Sequence, residues 1–325
     1  MRLLKLVPDD TNIDFLRWRV PFYAVSLLLM AASLTLIFTK GLNLGVDFVG
    51  GQMIRATFER SAEAPVERLR KDIGALGYGE PLIQRSGAQN QVAVRMKLPE
   101  GADRDPALSD TMARRISADI KAKYADARID GVDSVSGKVS GELFQTGMLA
   151  LVLAMIGISI YIWLRFEWQF GVGALFALIH DVTLTIGLFA LTGMEFDLNI
   201  VAALLTLIGY SLNDNIVVYD RIRENLKKYR RMPLPELLNL SVNETLSRTV
   251  VTSLSMLITL VTLLLLGPPV IFGFTAAITL GIFVGTYSSI YMAAPILIWL
   301  KVNSKSFVPA ENSGEARGGA ARAGA

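Results

Sequence analysis

Six apolar runs, each long enough to cross a hydrocarbon layer, dictate what this chain can become. They cover roughly 20–38, 143–164, 170–192, 198–219, 249–267 and 270–300. A bilayer core of about 30 Å needs about 20 helical residues, and a helix pairs its own backbone polar groups without help from water. The expected fold class is a multi-pass α-helical membrane protein with six transmembrane helices. Of the 325 residues, 52% are hydrophobic and 19% charged, too apolar a balance for an ordinary soluble domain. The chain has no cysteine, which excludes disulfides and thiolate metal sites, and its single histidine argues against a histidine-cluster metal centre. The first run follows Asp9 and Asp10, is too long for a typical signal-peptide core and lacks an A-x-A-like exit. It reads as an uncleaved anchor.

Lysine and arginine set the orientation. Arg2, Lys5, Arg17 and Arg19 precede the first run, and Arg165 lies between the second and third. Arg221, Arg223, Lys227, Lys228, Arg230 and Arg231 separate the fourth from the fifth, and Lys301 and Lys305 follow the sixth. The third-to-fourth connection has only Glu195 and Asp197, and the fifth-to-sixth is Gly267-Pro268-Pro269. Both termini are therefore expected in the cytoplasm, and the long segment after the first run on the outer side, periplasmic in a Gram-negative cell. The expected organisation is a cytoplasmic N-terminus at 1–19, a first helix at 20–40 and a periplasmic domain at 41–141. Five helices follow at 142–302 with a basic cytoplasmic loop at 221–246, then a disordered, Gly/Ala-rich tail at 303–325.

The outer segment patterns as one small domain. Residues 52–58 and 92–98 alternate as strands, 81–85 is a short strand and 127–135 another. Val66, Leu69, Ile73 and Leu76 share a helix face that stops at Gly77, and Met112, Ile116 and Ile120 share a second, begun by Asp105-Pro106. The order β-α-β-β-α-β is that of a ferredoxin-like α+β domain. Mixed charges without interleaved aromatics give no case for nucleic-acid binding.

Charged and polar residues inside the apolar runs carry the functional signal. A charge near mid-bilayer costs on the order of 2.5–3.5 kcal/mol even on lenient insertion scales. Asp214 lies in the fourth run and Arg248 at the start of the fifth, both in the cytoplasmic third. His180 and Asp181 are adjacent in the third, with Thr185 a turn beyond Asp181. Arg248, Thr252, Ser255, Thr259 and Thr262 form one stripe, and Thr206, Tyr210, Asn213, Val217 and Asp220 another. These stripes are expected to face one another around a hydrated path or hydrogen-bonded seam. Asp214, Arg248 and Asn213 are the candidate ion-coupling residues, with His180, Asp181 and Asp220 as possible relay members. The competing readings are a snorkelling Arg248, a structural pair or cap at Asp214, a satisfied buried His180 and a solvated helix end at Asp220. A carboxyl binds a proton more tightly when it loses water and less tightly when a guanidinium approaches, so helix motion can load and unload it. Sodium coupling would use the same carboxylate with Asn213, Asn215 and hydroxyls. Gly273, Ala277, Gly281 and Gly285 recur every four residues, as do Ala150 and Ala154 with Gly157 nearby, giving close-packing faces suited to helix or partner contact.

Three segments together resemble a known family: Leu-Gly-Val-Asp-Phe-Val-Gly-Gly at 44–51, His180-Asp181, and Gly-Tyr-Ser-Leu-Asn-Asp-Asn-Ile-Val-Val-Tyr-Asp-Arg-Ile-Arg-Glu-Asn at 209–225. With Asn-Glu-Thr-Leu-Ser-Arg-Thr at 243–249 they are similar to the SecF family of six-span export subunits, within the resistance-nodulation-division superfamily. The likeness runs from about residue 13 to 300. It implies a bacterial inner-membrane subunit that works with SecD beside the SecYEG channel, with YajC and YidC as further partners. Together these would use the proton-motive force to draw preproteins across. It assigns Asp214 and Arg248 to ion conduction, and no enzymatic activity, cofactor or metal. Gly45, Asp47, Gly50 and Gly51 are the expected turn or hinge from the first helix into the domain. Two other readings stand beside it: a half-transporter of the same superfamily exporting lipid or small molecules, and a non-energised structural subunit.

Overall fold

A computed structural model describes residues 7–8, 11–85, 88–98 and 106–302. Arg2, Lys5, Asp9, Asp10, the Asp105 cap, Lys305 and the tail at 303–325 lie outside the described residues. After a 3-10 turn at Leu16–Trp18 the chain forms α1 (Arg19–Thr39), β1 (Asn43–Leu44), the single turn α2 (Val46–Val49) and β2 (Gly51–Phe58). Then come α3 (Val66–Gly74), β3 (Leu82–Arg85), β4 (Gln91–Met96), α4 (Pro106–Lys123) and β5 (Ala127–Val135). The remainder is helical: α5 (Gly137–Arg165), α6 (Trp168–Thr192), α7 (Leu198–Lys228), α8 (Leu234–Leu266), α9 (Phe272–Ser288) and α10 (Ile296–Trp299), with β6 (Glu195–Phe196) between α6 and α7. Six helical segments, Leu16–Thr39, Gly137–Arg165, Trp168–Thr192, Leu198–Lys228, Leu234–Leu266 and Phe272–Trp299, are long and apolar enough to cross a membrane.

The domain between α1 and α5 is a four-stranded antiparallel sheet in the order β3-β4-β2-β5, the ferredoxin-like arrangement. Its period-two strands put Ile54, Ala56, Phe58, Val92, Val94 and Met96 on the face that α3 and α4 cover with Leu69, Ile73, Met112, Ile116 and Ile120. The opposite face carries Met53, Arg55, Ala93 and Arg95 toward the helical bundle. Ile116 is fully buried, so Ile116→Ala is expected to cost about 2–5 kcal/mol, read as a lowered midpoint of the domain's denaturation transition.

Within the bundle, the last span is the most enclosed and α1, α5 and α8 the most exposed. The small residues on α9 explain its position. A side chain at Gly281 would collide with Leu207 of α7, and one at Gly285 would press on Asp181 and Ser211. The four-residue stripe therefore packs α9 against α6 and α7 inside this chain rather than against a partner, whereas Gly157 of α5 faces open space.

Two segments depart from expectation. Where a basic loop is expected at 221–246, α7 runs on to Lys228 and α8 starts at Leu234, leaving a connection of five residues. Ile222 and Leu226 pack there with Leu237, Leu238 and Val242, so the basic residues ride on a helical hairpin. The sixth span is broken: after Ser288 one π-helical turn, Ser289–Ala293, precedes Pro295 and α10. Proline has no amide hydrogen and clashes with the carbonyl four residues earlier, which disfavours a regular α-helix there.

Candidate functional site: a buried polar seam

The π turn brings two carboxylates under the control of neighbouring serines. Ser289 Oγ donates to Asp214 Oδ2 at 2.6 Å, and Thr249 Oγ1 of α8 donates to the other oxygen at 2.7 Å. Ser288 Oγ donates to Asp181 Oδ2 at 3.0 Å, which also accepts from Ser211 of α7 at 2.6 Å. His180 Nδ1 lies 2.9 Å from Asp181 Oδ1, and its Nε2 lies 2.8 Å from the Tyr287 hydroxyl. Tyr287 in turn meets Ser26 of α1 at 3.0 Å. His180, Asp181, Ser211 and Ser288 are essentially excluded from solvent. Side chains from α1, α6, α7, α8 and α9 thus form two clusters joined by a single peptide between Ser288 and Ser289.

The chemistry of these partners suits proton traffic. A hydroxyl donates to a carboxylate and accepts from a carboxylic acid. Asp214, held between two hydroxyls, therefore keeps hydrogen bonds in both protonation states without backbone movement. Among the described residues, no group of three or more His, Asp or Glu side chains is placed to hold a metal ion.

Not every expected residue is gathered here. Both oxygens of Asp214 are taken by hydroxyls, while Arg248 is exposed on α8 and is not one of its ion-pair partners. Asn213 is exposed too. The stripe Thr252, Ser255, Thr259 and Thr262 faces outward, each hydroxyl returning its hydrogen bond to a carbonyl of the preceding turn. Self-satisfied hydroxyls need no partner helix, so the spacing alone does not aim them inward. The inward face of α8 is instead Thr249 and Ser253, the latter bonded to Thr286 and to Tyr210. Asp220 stays apart at the basic end of α7, exposed and 3.6 Å from Arg165. Asn215 is fully buried, with neither amide atom paired.

The remaining motif residues are structural ties. Asn243 exchanges two hydrogen bonds with the backbone of Ile13, and Glu244 accepts from Asn225 at 2.6 Å. Asp47 Oδ2 accepts from the Leu198 amide at 3.0 Å, joining Asp197 at the α7 N-terminus, where the helix dipole favours anions. Gly50 and Gly51 both have positive φ, at 71° and 117°, and a side chain on Gly51 would strike the Met96 carbonyl. Only glycine turns from α2 into β2 at this spacing.

Known proteins are similar to this chain over most of its length. The protein export membrane protein SecD/SecF C-terminal family matches residues 115–303, and the SecD/SecF GG motif family matches residues 35–62. The chain belongs to the SecF family. The protein translocase subunit SecF of Cereibacter sphaeroides is 46% identical over 92% of this chain and 93% of its own length. That of Rhodobacter capsulatus is 44% identical over 91% of each. The crystal structure of SecDF from Thermus thermophilus, a translocon-associated membrane protein, superposes with a TM-score of 0.79 at 36% identity. It covers 90% of this chain, which spans only 39% of that SecDF chain. The motif match covers Gly50 and Gly51, and the C-terminal match covers both carboxylates, Asp181 and Asp214.

The signals for Ser288, Ser289, Ser211 and Tyr287 were present but weak. The two serines continue the small-residue face of α9, so they read as packing, and only the following Pro295 marks the place where the helix must change register.

Proposed function

We propose that this chain is the SecF half of a proton-driven export machine. It works with SecD beside the SecYEG channel, in contact with YajC and YidC, in a bacterial inner membrane. There it uses the proton-motive force to promote preprotein movement into the periplasm. The observation that carries this reading is Asp214, half-buried and held between Thr249 and Ser289 in a setting that serves its charged and neutral forms alike. Asp214 is the loading site, with Asn213 and Arg248 beside it on the exposed face of α7 and α8. A charged guanidinium facing lipid is costly, and a second six-span unit packed on that face would cover it. His180 and Asp181 extend the path toward α1. Asp220 belongs to the solvated end rather than to the path. The basic α7–α8 hairpin and both termini face the cytoplasm, and the domain at 41–141 faces the periplasm.

The test compares preprotein export into inverted membrane vesicles with and without an imposed proton gradient, in vesicles carrying or lacking the chain. The chain is expected to co-purify with SecD and to raise export only when the gradient is present. A rise that is independent of the gradient supports a structural subunit. Lipid or small-molecule flux without any change in export supports a half-transporter.

A further inference from the structure

A second acid site lies far from Asp214, where the α/β domain meets the bundle. Glu195 of β6, paired in parallel with β1, points its carboxylate at the open face of the sheet. Arg95 of β4 stands 3.5 Å from Oε1 and Arg55 of β2 stands 3.9 Å from Oε2, both too long for strong hydrogen bonds. Oε1 is buried without a hydrogen-bond partner, as is Nε of Arg55. Arg55 is also committed to Asp133 of β5. Gly45 leaves the room Glu195 needs, since a side chain there would lie 2.9 Å from Oε1. A cleft of about 430 Å³ opens beside these groups, lined in addition by Arg85, Asp130 and Asp197, and gives water a route to the carboxyl.

Charge alone favours the ion, because Arg95 and Arg55 outweigh Asp197 and Asp133, and it is burial that opposes it. Asp197 and Asp133 repel a carboxylate at this position, Asp47 adds to the negative charge around Asp197, and the two guanidinium groups attract from a distance. Burial without hydrogen bonds favours the neutral acid. We propose that Glu195 is a proton-binding site at the junction, loaded from the water on the domain's side, and that its occupancy holds the α/β domain against the bundle. Burial pushes the Glu195 carboxyl up to about 7 from the ordinary 4.5, against the opposing pull of Arg95 and Arg55. Swung away from the bundle, the same carboxyl is in water and binds its proton at the ordinary value. The docked form therefore binds the proton more tightly. Docking strengthens as pH falls from about 7 toward 4.5 and weakens as pH rises through about 7. The full bias across that window is on the order of a hundredfold.

This goes beyond proton loading at Asp214 and does not depend on it. Only its physiological meaning rests on the proposed orientation, in which the gradient acidifies the domain's side and so docks it.

The absence of native cysteine makes a distance measurement direct. Nitroxides at Lys121→Cys on α4 and Leu266→Cys at the end of α8, both exposed sites, report domain position in the full chain reconstituted in liposomes. As pH is lowered from about 8 to about 5 on both sides, a short, narrow distance population is expected to grow, with its midpoint inside the window between about 7 and about 4.5. Glu195→Gln, which mimics the protonated acid, is expected to hold the short population at every pH. Arg95→Gln removes an attraction for the charged form and is expected to move the midpoint upward, which keeps the test open if Glu195→Gln fails to insert. Distances in the unsubstituted background that ignore pH overturn the proposal. So does an undiminished pH response in Glu195→Gln, or an Arg95→Gln midpoint that stays put or falls.

Discussion

Asp214→Asn is expected to leave the chain inserted and bound to SecD while gradient-stimulated export falls to the level measured without a gradient. The substitution is nearly isosteric. The Asn oxygen accepts from one of the two hydroxyls and its amide donates to the other, so Thr249 and Ser289 both keep a partner. What disappears is the ability to gain and lose a proton. Export measured without a gradient is expected to continue. Vesicle assays with immunoblotting for both subunits separate these outcomes, and full gradient stimulation in assembled Asp214→Asn vesicles removes Asp214 from the coupling path.

Asp181→Ala is expected to be the most damaging single change in the bundle. It strips an acceptor from Ser211 and Ser288 and a partner from His180, three groups buried away from the protein surface. Breaking such a buried network costs about 3–5 kcal/mol, visible as a lowered thermal midpoint of the purified membrane complex. Asp181→Asn keeps the shape and most of the bonds, and its stability loss is expected to be a fraction of that. The conservative variant also divides two roles. Normal stability with weakened gradient-driven export places Asp181 on the proton route, whereas normal export makes the cluster a structural tie between α6, α7 and α9.

The six spans, the βαββαβ order of the domain and the odd polarity of residues 180, 181 and 214 were all legible in the chain, because each rests on local periodicity or on the cost of a charge in lipid. Direction was not. Thr252, Ser255, Thr259 and Thr262 satisfy themselves on their own helix, so their spacing says nothing about which way they face. Ser288 and Ser289 hid among glycines and alanines of the same size. The run at 221–246 read as a basic loop because its apolar residues are diluted by charge, yet Ile222, Leu226, Leu237 and Val242 close a helical hairpin once α7 and α8 lie side by side. Glu195 registered only as an acidic mark on one connection. Its importance depends on two arginines that precede it by 140 and 100 residues, and only folding sets them opposite it.

The way the α/β domain is mounted has a mechanical consequence. The chain enters it at Gly50 and leaves it at Gly137, and a side chain at residue 50 would lie only 3.0 Å from the Gly137 α-carbon. Entrance and exit therefore share one pivot. A body hung from a single pivot can tilt without stretching α1 or α5, so neither membrane anchor resists the swing. Whatever restrains it must act away from that point, as Arg55 and Arg95 do farther along their strands. Very small changes at such a restraint are geared up into large displacements at the domain's far edge, as a latch on a gate governs far more travel than its own.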